Sequence, residues 1–146
     1  MLECTTNRMV VHQWLTFKDY YQDRNMEKQR LIFNSRDELL RIDVERIVYF
    51  EADGNYTYII TCNKLKSAVC MNLGQMEEVL DQRLKEKKSL FARIGKKYIV
   101  NLGFVYKINP LKKQLVLSDF SNFTYQLEVS REALKKLKDI MLQIKF

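Results

Sequence analysis

Histidine is nearly absent from this chain: its 146 residues hold one, His12. A histidine-based metal site or a nucleophile–histidine pair therefore has a single residue to draw on, and it lies close to the N-terminus. Cysteine is sparse too. Cys4, Cys62 and Cys70 form no CxxC pair. Cys62 and Cys70 are expected on adjacent strands of one hairpin. With Asn63-Lys64 as its turn, position 62 faces 65 and position 70 faces 57, so the thiols lie far apart and no disulfide is expected. One proline and four glycines leave little room for disorder or low complexity. No apolar run approaches the roughly 20 residues that a membrane span takes. Residues 1–11 lack the basic start and apolar block of a signal peptide, so a cytoplasmic location is expected. Neither common glycine-rich phosphate loop is present, nor a GxSxG elbow. No catalytic residue, cofactor or metal is expected.

What is abundant is positive charge, and it is unevenly placed. Lys and Arg number 25 against 18 Asp and Glu, for a formal charge of +7. Residues 1–28 hold four basic and four acidic residues, so the whole excess lies in residues 29–146. Between Arg83 and Lys113 there are ten basic residues and one acid, Glu86. Like charges gathered in one region repel in the folded state and become useful when a polyanion approaches and its condensed counterions are released. Nucleic acid is the first candidate and a membrane surface the second.

The apolar pattern divides the chain at the same place. In residues 1–28, Val10, Trp14, Phe17 and Tyr21 recur at helical spacing, predicting an amphipathic helical extension. That helix either docks on its own domain or serves self-association or an input protein. From residue 29 the pattern becomes one of short strands. Arg30–Asn34 and Glu38–Asp43 read as a hairpin, and Arg46–Glu51 as a strongly β-prone run ending in a turn at Ala52-Asp53-Gly54-Asn55. Tyr56–Cys62 and Leu65–Met71 follow as strands. Leu73, Met76, Leu80 and Leu84 are spaced for a helix with Asn72 as N-cap and Glu77 and Glu78 near its favourable end. Further strands are read at Gly103–Ile108, Lys113–Ser118 and Thr124–Val129. Ser130 then caps a last helix with an inner stripe of Leu134, Leu137, Met141 and Ile144. The predicted fold is mainly β: small antiparallel sheets of short strands, one inserted helix and a C-terminal helix.

Within that frame LFARIGKKYIVNL, Leu90 to Leu102, is the most informative stretch. Two β-prone runs flank Gly95-Lys96-Lys97, a tight loop expected to present two lysines with no acid nearby to neutralise them. A rigid hairpin holding cations on its tip suits a phosphate backbone or a guanine edge. An ordinary solvated turn also fits the stretch taken alone.

RIVYFEADGNYTYI, then a helix and a basic loop, then LFARIGKKYIVNL, then YQLEVSREALKKL, together resemble the LytTR (LytR/AlgR-type) DNA-binding domain of bacterial transcription regulators over about residues 29–140. The resemblance implies a mostly β fold that grips double-stranded DNA with loops in successive major grooves. It implies contact segments at Asp53–Thr57, Gly95–Lys97 and Ser130-Arg131. Asn55 and Thr57 are short hydrogen-bonding side chains suited to base edges or phosphates, although Asn55 also suits a turn for purely local reasons. Lys96 and Lys97 supply charge, and Gly95 allows close backbone approach. Arg131 stands at a helix N-terminus, which favours an anion, and its fork fits guanine. A surface ion pair with Glu128 or Glu132 is its alternative role. Tyr56 and Tyr58 are expected to divide between core and surface.

Two departures from the family stand out. Many members have a His-Arg-Ser-type step where this chain has Gly95-Lys96-Lys97. Many also carry a receiver domain, for which residues 1–28 are too short, so input is expected from a partner protein, the N-terminal helix or expression level, or the module acts without any signal. Two other functions fit the composition: a single-stranded nucleic-acid binder with aromatic stacking platforms, and a protein-interaction module centred on Trp14.

Overall fold

The run Ile47–Phe50 is buried at all four positions, which a strand with one wet face does not allow. Both faces of its sheet must be covered. The computed structural model, which describes residues 29–84 and 90–144, shows how. The stripe of Val10, Trp14, Phe17 and Tyr21 lies outside the described residues, as do Lys85, Lys87 and Lys88.

Strand β3 (Ile47–Asp53) is the middle of a five-stranded antiparallel sheet. Its companions are β4 (Tyr56–Thr61), β5 (Lys66–Val69), β6 (Phe91–Ile94) and β7 (Tyr98–Asn101), in the order β5-β4-β3-β7-β6. The pairing of β3 with β4 slips between Ile47 and Tyr49. Such a bulge shifts the alternation of faces. Val48 and Tyr49 accordingly join one apolar cluster, and Ile47 and Phe50 join the other.

One face is covered by the hairpin of β1 (Arg30–Asn34) and β2 (Leu39–Asp43) together with helix α1 (Leu73–Leu84). All four residues of the predicted helical stripe, Leu73, Met76, Leu80 and Leu84, are buried there. Asn72 caps α1 as expected, and the cap is reciprocal. The Gln75 N–H donates to Asn72 Oδ1 at 2.8 Å, and the Asn72 N–H donates to Gln75 Oε1 at 2.9 Å. Glu77 and Glu78 fall beyond the first turn of α1, so they do not serve its dipole as expected.

The other face is covered by a three-stranded sheet, β8 (Val105–Asn109), β9 (Gln114–Ser118) and β10 (Thr124–Glu128), and by helix α2 (Arg131–Gln143). Leu115, Leu117, Leu134 and Leu137 are almost wholly excluded from water and pack against Val48, Ile60 and Val100. The strand expected from Gly103 starts two residues later, at Val105. Leu102–Phe104 instead form a 3₁₀ turn, capped by Asn101 Oδ1 accepting the Gly103 N–H at 2.9 Å. The buried Asn101 amide also donates to the Ile47 carbonyl at 2.8 Å, so its polar groups are satisfied inside the core.

The β4–β5 hairpin differs by one residue from its expected register. Thr57 faces Val69, not Cys70, because the loop uses three residues, Cys62 to Lys64, with Lys64 at φ 70°. Cys62 and Cys70 are both free thiols.

Candidate nucleic-acid interface

Two hairpin tips emerge side by side. Strands β3 and β7 run antiparallel with Glu51 facing Tyr98, so the tip Gly54-Asn55 and the tip Gly95–Lys97 lie at the same end of the sheet. The Ala52 N–H donates to the Lys97 carbonyl at 2.8 Å and ties one hairpin to the other. Each tip turns on a glycine in the left-handed region, Gly54 at φ 62° and Gly95 at φ 66°. A Cβ at either glycine meets nothing within 4 Å, so the requirement is torsional. Open space around Gly95 is also compatible with the close backbone approach expected there.

The electrostatics of the second tip correct the sequence reading. Lys97 does have an acid nearby: its Nζ stands 3.5 Å from a carboxylate oxygen of Glu51 and 5.6 Å from the ring centroid of Tyr98. Tyr98 and then Glu51 hold the Lys97 ammonium above the ordinary lysine pKa. Burial pushes the Tyr98 phenol up in turn. Beneath it, Tyr49 packs edge-on against both Tyr98 and Tyr125, with centroids 5.9 and 5.3 Å apart. Lys96 is exposed and has no ion pair among the described residues. Arg93, at the base of the tip, bonds Glu77 of α1 at 2.8 Å.

The third segment comes from the opposite layer. The Ser130 hydroxyl accepts the Ala133 N–H at 3.3 Å and caps α2, leaving Arg131 exposed on its first turn. Neither Glu128 nor Glu132 pairs with Arg131 among the described residues. The Val129 N–H donates to the Lys113 carbonyl at 3.0 Å, which brings the β8–β9 turn beside the start of α2. Tyr49 bridges Tyr98 of β7 and Tyr125 of β10, and Ile94, Tyr98 and Val129 share one apolar cluster, so this corner lies over the sheet that carries the Gly95 hairpin. Lys112 and Lys113 on that turn are exposed cations that sequence reasoning counted but did not assign to a site. The signal was Pro110 followed by a lysine pair. What brings them to the site is the pairing of Asn109 with Gln114 and of Gln114 with Glu128.

Asn55 is exposed at its tip. Thr57 is not available: it lies inside β4, is wholly buried, and its hydroxyl donates to the Met71 carbonyl at 2.8 Å. Tyr56 and Tyr58 divide as expected, with Tyr58 packed against the apolar core cluster. Tyr56 is exposed, and Tyr58 is half-buried with Lys66 Nζ 4.4 Å from its ring centroid. No helix among the described residues is long and apolar enough to cross a membrane.

Comparison with known proteins adds two findings. The family model described as the LytTr DNA-binding domain matches residues 37–142. Among solved structures, the chain is similar to the LytTr DNA-binding domain of a Bacillus cereus protein named as a methyl-accepting/DNA response regulator. The identity is 20%, the TM-score 0.56, and the match covers 80% of this chain and 99% of that one. No curated protein matches.

Proposed function

We propose a mode of DNA reading from one premise: the chain belongs to the LytTr DNA-binding domain family. DNA binding by a transcription regulator is therefore its activity, and the finer question is which atoms do it. The chain reads duplex DNA from the loop-bearing end of its five-stranded sheet. Lys96, Lys112 and Lys113 neutralise phosphates, with Lys97 a weaker contributor because Glu51 already engages it. Asn55 and Arg131 reach base edges in the major groove, Arg131 with the fork that matches guanine O6 and N7. Gly95 and Ser130 act by shaping the backbone that carries these groups.

The observation that supports this reading best is the junction of the two hairpin tips through the Ala52–Lys97 hydrogen bond. It makes one rigid platform of two loops. Residues 29–146 carry the DNA-binding task, which a regulator performs in the cytoplasm. Residues 1–28 form a separate extension whose stripe of Val10, Trp14, Phe17 and Tyr21 meets a second copy or an input protein.

The test is binding of the full chain to a duplex selected from random sequence, to a scrambled duplex and to the single strand of the selected site. The selected duplex should bind tightest. Its log affinity should fall with log salt at about −0.9 per phosphate neutralised, for several phosphates. Preference for the single strand, or a flat salt response, overturns the reading.

A further inference from the structure

We infer that Arg93 is a positioning residue for the Gly95–Lys97 loop, and that Glu77 on helix α1 holds it there. This rests on the reading of that loop as a DNA contact. Arg93 stands on β6, an edge strand of the five-stranded sheet, one residue before the loop's base. Its guanidinium has three partners on two elements. Nε donates to the Gly95 carbonyl at 3.3 Å, Nη2 to the Lys96 carbonyl at 3.5 Å, and Nη1 to Glu77 Oε1 at 2.8 Å.

These bonds complete an inventory. A tight loop turns its carbonyls out of the ladder, where water or a donor of the protein satisfies them. Arg93 takes those of Gly95 and Lys96, and the Ala52 N–H takes that of Lys97. All three loop carbonyls are thus held from the protein side, and the Lys96 side chain has no ion pair among the described residues. The planar guanidinium fork suits this task. A lysine at position 93 keeps the charge but has neither the fork nor the reach to bridge a carboxylate and two carbonyls.

The side chains of Arg93 and Glu77 are 32% and 44% exposed, and ion pairs that wet add little to folding stability. Their effect falls on the loop. Glu77 is also an acid close to the DNA-facing end, where bare electrostatics would make it a liability. Positioning and electrostatics therefore predict opposite signs for its removal.

The experiment uses the full chain with Arg93→Lys, Glu77→Gln, the double variant and Lys96→Ala as control. Affinity is measured for the selected and the scrambled duplex, and amide hydrogen exchange at Lys96 and Lys97 is measured without DNA. Arg93→Lys and Glu77→Gln should each weaken selected-duplex binding by about three- to tenfold, and the double variant should be no worse than the poorer single, as coupled residues behave. Exchange at the tip should quicken with the unfolding midpoint nearly unchanged. Unchanged exchange, or tighter selected-duplex binding by Glu77→Gln, overturns the assignment. If Lys96→Ala binds DNA like the parent, the DNA-contact reading of the loop fails, while exchange still decides whether Arg93 positions it.

Discussion

Lys97, in the Gly95–Lys97 loop, and Glu51 of β3 form an ion pair at 3.5 Å on the end of the sheet that carries the hairpin tips. The lysine side chain is 59% exposed and the glutamate 24%, so the acid is the more embedded partner and the cation faces outward. The pair sets apart two lysines that are neighbours in sequence. Lys96 is a free cation among the described residues; Lys97 is partly spent on its own protein.

That difference predicts the effect of Glu51→Gln. Releasing Lys97 should tighten duplex binding at low salt and steepen the log–log salt slope by about 0.9, one further phosphate. The gain should fade at high salt, because screening weakens exposed charges first. The Lys97 pKa should fall in the same variant, since Glu51 is one of the two groups holding it up. Anisotropy titrations across a salt series check the slope, and an unchanged slope rejects the release of Lys97.

Thr57→Val tests the correction made to the first contact segment. The hydroxyl lies in the interior and donates to the Met71 carbonyl, so its loss should cost stability of about 0.5–1.5 kcal/mol. Valine keeps the branched shape that β4 requires. Duplex affinity of the folded protein should stay at the parent value. Denaturant unfolding with binding measured well below the midpoint separates the two, and a loss of affinity without a loss of stability would return Thr57 to the interface.

Much of this was legible in the sequence, because periodicity is local. The stripe Leu73, Met76, Leu80, Leu84 announces its buried face, and Ser130 announces a cap by its position before a helical pattern. Thr57 was misjudged because a hairpin's tip and its first strand residues differ only in register, and the tip here takes just Gly54 and Asn55. Glu51 could not be matched to Lys97 because the pairing of β3 with β7 joins distant stretches of chain. Lys64, Lys113 and Phe120 adopt positive φ without being glycine, so their turns carry no local sign of their geometry. The approach of Lys113 to the start of α2 is likewise a property of ladder order.

Asp119 should report on acid stability. Its Oδ1 accepts the N–H groups of Ser121, Asn122 and Phe123 at 2.9, 2.7 and 3.1 Å. These bonds, Ser121's foremost, hold the carboxyl pKa below its ordinary 3.8. A pKa lowered by folding means that stabilisation is fully present above the unfolded value and is lost as pH falls through the folded one. In Asp119→Asn that acid loss should be reduced, and the variant should be less stable than the parent near neutrality. Carbon-detected titration of Asp119 and unfolding midpoints from neutral to acid pH test both statements. The turn it braces holds Phe120 at φ 68° against Tyr106, centroids 5.3 Å apart, so the aromatic pair should loosen with it.

Ser130 and Arg131 are adjacent but should separate cleanly by measurement. Ser130 caps α2 through the Ala133 N–H, so Ser130→Ala should lower stability by about 0.5–2 kcal/mol and leave base preference intact. Arg131 is a cation on the first turn of the same helix, where the dipole favours an anion. Removing it should therefore be neutral or slightly stabilising. Its exposed guanidinium is the group proposed above to reach a base edge. Arg131→Ala should cost about 1–3 kcal/mol of binding and relax preference at one base pair. Binding measured across single-base variants of the selected duplex, beside unfolding midpoints, gives both readings. If Arg131→Ala weakens selected and scrambled duplexes equally, the guanidinium contacts phosphate and does not read sequence.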